Sequence, residues 1–295
     1  MPHQLDKANG ALDELIRRLE GDAWLLDPQN LRQRSEALDL LDMHWPGLPP
    51  VEVTLDRKAA SLRARLEAAN SQLYADIRRE IRHGCGAEAL LPWSRLEPGP
   101  RGAAPDGFGY DFLDELIAGV FQIDEPDEGD IQRKPETVFY QPTPARHIFR
   151  MVELARITAE DVLVDLGSGL GHVALLTSIC TGARTLGVEL ERPYVDCARR
   201  CADRLNLDKV TFLHQDASGE ARVVEFSKGT VFYLHTPFSG SILQTVLGRL
   251  RDAAAGRSIR ICTFGPCSEV VGEQDWLQAD GELRPDRVAL FRSKS

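Results

Sequence analysis

From residue 147 to the C-terminus the chain alternates apolar, strand-like runs with helix-length segments, and this rhythm constrains the fold more than any other feature. A helix over 147–154 leads to the apolar run VLVDL. A glycine turn then leads to helix VALLTSICT, strand TLGVEL, helix YVDCARRCADRL and strand VTFLHQD. Strand TVFYLH, helix SILQTVLGRLRDAA and strand SIRICTF follow. Strands joined through helices form a parallel sheet, because each crossover returns the chain to the same end. Two short strands around WLQA and RVALFRS close the chain with no helix between them. They are expected to pair as an edge hairpin, so one of them must run antiparallel. The expected class is α/β, a Rossmann-like sheet of seven strands, mostly parallel.

Ahead of this region the pattern is different. Leu12, Leu15, Ile16 and Leu19 share one helical face, and Leu62, Leu66, Leu73, Ile77 and Ile81 share another on a longer helix that should stop near Gly84. The stretch WPGLPP at 45–50 breaks the two apart. Residues 92–109 are rich in Pro and Gly and read as a linker or ordered loop. A short helix follows, with Phe112, Leu113, Leu116, Ile117, Val120 and Phe121 on its apolar side. Next comes the acidic run IDEPDEGD at 123–130, and from Tyr110 to Asp130 there is no Lys or Arg. The sequence therefore divides into a helical N-terminal region (1–91), a linker with a short helix and acidic loop (92–137), and an α/β domain (138–295).

Composition narrows the function classes. With 43% hydrophobic residues over 295 positions the chain can build a core. No apolar run approaches the roughly 18–20 residues of a membrane span. The start, MPHQLDKANG, lacks a basic and then apolar leader, so a cytoplasmic protein is expected. A net charge of −10 argues against non-specific nucleic-acid binding, which needs a surplus of Lys and Arg. The six cysteines fit no zinc spacing. Cys197 and Cys201 are spaced i,i+4 but have no second pair, so no metal is expected and the thiols read as reduced and mostly buried.

In an open α/β sheet, ligands bind beyond the carboxyl ends of the strands. The first strand ends at Asp165, and the loop after it is Leu166-Gly167-Ser168-Gly169-Leu170-Gly171. Its glycines let the backbone approach a ligand, and the next helix offers free N–H groups. The second strand ends at Glu189, where a carboxylate can accept from both hydroxyls of a ribose. The third ends at Gln215-Asp216, where a carboxylate can accept from an adenine amino group. A nicotinamide-dinucleotide site shares the first turn and the later acid, so an oxidoreductase is one alternative. Against it, the spacing is G-x-G-x-G rather than G-x-G-x-x-G. Asp165 also stands where it would repel a pyrophosphate and attract a sulfonium or ammonium.

Together these residues resemble the class I S-adenosylmethionine-dependent methyltransferases, which carry D-x-G-x-G-x-G, an acid and an Asp in this order. The resemblance runs from Tyr140 to the C-terminus. It implies that Gly167, Ser168 and Gly169, in the loop completed by Gly171, lie against the methionine part. It implies that Glu189 holds the ribose, and Asp216 with Ala217 the adenine. The preceding segment, VFYQPTPARHIFRMVELA at 138–155, resembles the lead-in of the non-SET histone-lysine methyltransferases and their bacterial relatives. That implies Tyr140 and Thr143 contact the cofactor or wall an acceptor channel. The alternative is a proline-stiffened helix start with Thr143 as its cap.

The fourth strand ends in Tyr233-Leu234-His235-Thr236-Pro237-Phe238. Families that methylate amide or ring nitrogen often carry Asn/Asp-Pro-Pro-aromatic there, and this chain departs from that pattern. His235 is a candidate general base, or else a structural hydrogen-bonding residue. Tyr140 is a second catalytic candidate, and Phe238 is a candidate for the acceptor pocket. The expected activity is methyl transfer from S-adenosyl-L-methionine to an amine or hydroxyl, with a protein lysine or a small molecule as acceptor. The alternative from another class is a cofactor-binding regulator or scaffold without turnover. The N-terminal helices would serve as a lid, a docking surface or a homodimer contact. Asp124, Glu125, Asp127 and Glu128 would attract a cationic acceptor from the rim.

Overall fold

The computed structural model describes residues 2–45, 52–95, 107–126, 140–219 and 226–294. By its contacts the chain divides into two compact units, Met1–Ile77 and Arg78–Ser295.

The first unit comprises helices α1 (Pro2–Glu20) and α2 (Leu31–His44) and most of α3 (Val53–Arg82), with 3-10 turns at Ala23–Leu26 and Pro28–Asn30. The apolar spacing read from the sequence is the spacing that packs: Leu12, Leu15, Ile16 and Leu19 bury against Leu41, Leu62 and Leu66. Arg34 is fully buried in this unit. Its guanidinium donates to Asn70 Oδ1 at 2.6 Å and Leu25 O at 2.9 Å, so amide oxygens rather than a carboxylate take up its N–H groups. Of the WPGLPP break only Trp45 lies within the described residues; its indole N–H donates to Asp56 at 2.8 Å.

The second unit is built on a seven-stranded sheet. Its strands are β1 (Val162–Leu166), β2 (Arg184–Glu189), β3 (Val210–His214), β4 (Val231–Leu234), β5 (Arg260–Thr263), β6 (Leu277–Ala279) and β7 (Ala289–Ser293). They lie in the order β3-β2-β1-β4-β5-β7-β6. The first five are parallel, joined by α7 (His172–Thr181), α8 (Arg192–Arg204) and α9 (Gly240–Ala254) along the chain. The central strands read as continuous apolar runs because neighbours cover both faces; all four residues of β4 are buried. Val164, Leu166, Phe232, Leu234, Leu247, Ile261 and Phe291 form the centre of the core. Burying each such side chain contributes roughly 1.5–3 kcal/mol. Among the described residues no helix is long and apolar enough to cross a membrane.

The terminal strands pair as the expected edge hairpin, and β7 lies between β5 and β6, antiparallel to both, so the later strand is the inner one. β7 is the better candidate for that place because Ala289, Leu290 and Phe291 are all buried, whereas only Leu277 of β6 is. A short helix, α10 (Cys267–Gly272), precedes β6; its six residues are too few to show a period. Finally, the end of α3 and helix α4 (Gly86–Ser94) belong to the sheet-containing unit, not with the N-terminal helices. Leu90 of α4 is fully buried there, and Pro92–Ser94, grouped with the linker by composition, are helical. The rest of that linker up to residue 106 lies outside the described residues.

Candidate active site

The strand order reverses between β1 and β4, and there the loops beyond the strands diverge and leave a crevice. The cavity at this place is lined by Asp165 within β1, Gly167 and Ser168 after it, Glu189 as the last residue of β2, and Asp216 and Ala217 after β3. Tyr140 and Thr143 of the lead-in and His235, Pro237 and Phe238 after β4 complete it. Ten of the residues singled out from sequence are thereby brought together. Gly169 and Gly171 are not on the wall.

The glycines act on the protein itself. Gly167 has φ +84°, and a Cβ on it would fall 2.2 Å from Pro237 Cβ. Gly169 has φ +50°, and a Cβ there would fall 2.1 Å from the Tyr140 ring. Any side chain at either position would push away the β4 loop or the lead-in. Gly171 caps α7, the helix that starts at His172.

The two carboxyls nearest the turn are treated unequally. Glu189 accepts three backbone N–H groups: Gly169 to Oε2 at 2.8 Å, and Leu190 and Glu191 to Oε1 at 2.7 and 2.9 Å. Burial nevertheless raises its pKa above the ordinary value, against the pull of those donors. Asp165 is 2% exposed, and its Oδ2 has no hydrogen-bond partner among the described residues. Burial, and then the charge of Glu189, push Asp165 up to about 8. At the end of β3, Asp216 Oδ1 accepts from Ser218 N–H at 2.9 Å and its hydroxyl at 2.6 Å, which turns the chain below Ala217.

The lead-in is fastened at two points. Tyr140 packs on Tyr194 with ring centroids 5.0 Å apart, and its hydroxyl meets His172 Nδ1 at 3.1 Å. Thr143 is not the cap of α6 (Ala145–Leu154); that helix takes its first bond from Asp114 Oδ1, which accepts Ala145 N–H at 2.7 Å. The Thr143 hydroxyl instead lies 2.8 Å from Tyr233 Oη and 3.2 Å from His235 Nδ1, so it ties the lead-in to the end of β4. Asp114 also caps its own helix, α5 (Phe112–Phe121), together with Asp111, which is why the short helix sits where the periodicity places it.

Burial shifts both candidate catalytic residues. Burial pushes His235 down to about 4, with a bond to the Gln141 backbone pulling weakly the other way. It is neutral near pH 7 and a poor proton acceptor. Its ordinary pKa made it a candidate base, and desolvation removes that advantage. Burial, with Glu125 nearby, raises the Tyr140 phenol well above its usual range. Its hydroxyl is engaged with His172. Tyr233 and His172 are among the wall residues that sequence reasoning missed. Tyr233 is fully buried beside Asp165 in the β1–β4 register, which periodicity does not reveal. His172, the last residue of the VLVDLGSGLGH motif, is held neutral by burial, with its pKa at about 4. Of the acidic run, Ile123 packs, as Tyr140 does, on the cluster of Leu170, Tyr194 and Cys197, so the run starts beside the cavity. Asp127 and Glu128 lie outside the described residues.

Five parallel strands with β7 inserted antiparallel, and an acid closing each of the β1, β2 and β3 turns, decide the class. The fold is that of a class I S-adenosylmethionine-dependent methyltransferase. Residues 136–215, less than a third of this methyltransferase-like chain, match the family described as histone methylation protein DOT1. No curated protein matches the chain. Among solved structures it is similar to an RNA methyltransferase from Salinibacter ruber in complex with S-adenosyl-L-homocysteine. The identity is 27% over 52% of this chain and 92% of that one, with a TM-score of 0.41. It is also similar to TrmN from Thermus thermophilus, at 15% identity over 49% of this chain and 47% of that one, with a TM-score of 0.40.

The cofactor of this fold suits the residues present. S-adenosylmethionine brings positive charge, and the cavity is lined by four acidic residues, Asp165, Glu189, Glu191 and Asp216, with no Lys or Arg on its wall. The orphaned Asp165 Oδ2 and the buried, unpartnered Ser168 Oγ are acceptors that the described residues leave open.

Proposed function

We propose that the protein transfers a methyl group from S-adenosylmethionine to an amine, the side chain of a protein lysine. The observation that carries this reading is the Thr143 link. It makes the lead-in matched by the DOT1 family and the end of β4 into one wall of the cofactor cavity. Asp165 and Ser168 would hold the methionine part, Glu189 the ribose, and Asp216 with Ala217 the adenine. When bound, the cofactor supplies an activated methyl on sulfur, so the protein's own task is alignment and exclusion of water.

The choice of amine over hydroxyl rests on proton chemistry. An alcohol must shed its proton as it attacks, and the neutral, buried His235 is too weak a base to take it. An amine needs no base inside the cavity once it has lost its proton to water. The Thr143–Tyr233–His235 wall carries no formal charge near pH 7, and burial there favours the neutral amine over the ammonium.

The test has two stages. S-adenosylhomocysteine should raise the melting temperature and NAD should not; the reverse would restore the oxidoreductase alternative. Purified core histones and total RNA should then be offered with methyl-labelled cofactor. Label recovered as methyllysine after hydrolysis supports the proposal. Label found only in RNA, or binding without transfer to any acceptor class, sinks it, and the latter favours the cofactor-binding regulator.

A further inference from the structure

Asp165 and Glu189 share one cavity, yet only Glu189 is provided for. Three backbone N–H groups meet the Glu189 carboxylate, while Asp165 Oδ2 has no partner among the described residues. The other groups around Asp165 bring no cation. β2 and the turn after it bring Glu189 and Glu191, α8 brings Tyr194, β4 and the loop after it bring Tyr233 and His235, α7 brings His172, the lead-in brings Tyr140 and the β3 loop brings Asp216. Both histidines are held neutral by burial. A negative charge on Asp165 is thus stabilised by nothing the described residues supply, and the neighbouring Glu189 opposes it.

We propose that Asp165 makes cofactor capture proton-linked, and thereby selects a ligand that brings its own positive charge over the bare nucleoside. The inference rests on the cavity taking S-adenosylmethionine. In the ligand-free protein the Asp165 carboxyl holds its proton near pH 7. A bound cation favours the carboxylate, and the proton passes to solvent; no other bond forms or breaks. The direction of the Asp165 shift, up to about 8, agrees with a carboxyl that is protonated until a cation arrives. Without the charge the site still offers Glu189 and Asp216 to an adenosine, but it gains no ion pair.

The experiment is isothermal titration of the full chain between pH 5.5 and 7.5, in buffers of different ionisation enthalpy. S-adenosylhomocysteine, S-adenosylmethionine and 5′-methylthioadenosine are the ligands. The amino-acid ligands should release close to one proton per site at pH 7, and their affinity should rise about tenfold per pH unit. Methylthioadenosine, which has neither sulfonium nor ammonium, should bind with no proton exchange. Asp165→Asn should abolish the release and flatten the pH dependence. The same variant should melt higher than wild type at pH 8 with no ligand, by a margin that shrinks toward pH 5. A folded-state pKa raised above the unfolded one costs stability as pH rises through that window. Binding of S-adenosylhomocysteine that is independent of pH, or release that survives in Asp165→Asn, overturns the proposal and leaves the cofactor reading intact. Failure of all three ligands to bind overturns the cofactor reading and the proposal with it.

Discussion

The two halves of the cavity solve opposite electrostatic problems. The side built by β1, β2 and β3 concentrates carboxyls: Asp165, Glu189 and Asp216. The side built by the lead-in and β4 presents Thr143, Tyr233, His235 and Phe238, all neutral near pH 7 and half or fully buried. A charged ligand belongs on the first side and an uncharged reacting group on the second. The contrast suggests a division of labour: the first side should govern affinity for the methyl donor, and the second the rate of transfer.

The sharpest way to break that division is at Glu189. Its Oε2 tethers the glycine loop through Gly169, and it has acceptor capacity left for a ribose. Glu189→Ala removes both. Cofactor affinity should fall by about 100-fold or more, on the order of 3 kcal/mol, the size expected when buried charged hydrogen bonds are lost. The change is read by titration with S-adenosylhomocysteine. An affinity within threefold of wild type would mean that the donor site lies elsewhere.

Thr143 is the matching test of the other half. Thr143→Val keeps the shape and removes the hydroxyl that joins Tyr233 to His235. It leaves two buried polar groups each short of a partner, a loss of roughly 1–2 kcal/mol. Turnover with a lysine acceptor should drop about tenfold, and the cofactor Kd should hold within twofold. Thr143→Ser should restore most of the rate. A variant that loses cofactor affinity instead would show that the lead-in serves the donor side.

How much of this was legible in sequence follows the same line. The donor side is written in short, contiguous signals. An acid and three glycines must sit in a fixed order because Gly167 and Gly169 allow the close approach of Pro237 and Tyr140. Asp165, Glu189 and Asp216 each lie within two residues of the end of a recognisable strand. The other side depends on pairings far apart in the chain. Thr143 and Tyr233 are 90 residues apart, and no periodicity foretells that their hydroxyls meet. His235 was read from its ordinary pKa, but burial sets the value it has. The order of β6 and β7 escaped for a similar reason, since strand patterning gives membership of a sheet and not position within it.

A pH profile separates the roles at His235. Its pKa of about 4 lies below the unperturbed value, so the folded protein resists its protonation. Stability from this group is present above about pH 6.5 and is lost as pH falls toward 4. For catalysis, kcat/KM with a lysine peptide should climb toward the pKa of the free amine with a slope near one. His235→Asn should lower the rate without altering that slope. An inflection between pH 6 and 7 that vanishes in His235→Asn would give His235 back its role as base.

The smallest effect belongs to the acidic run. Glu125 lies close enough to Tyr140 for its charge to act on the phenol. It is exposed and outside the cavity lining, which fits a place at the rim. A rim carboxylate attracts a cationic acceptor over a Debye length of about 8 Å at physiological salt, and its interactions there are weak. Glu125→Gln should therefore raise KM for a basic peptide by no more than about threefold, leave kcat unchanged, and lose its effect above 0.5 M salt. The same attraction is harmful nearer the methyl, because a close carboxylate raises the pKa of the incoming amine. If Glu125→Gln speeds kcat while KM holds, the carboxylate reaches the reacting nitrogen, and the uncharged half of the cavity is smaller than its wall residues suggest.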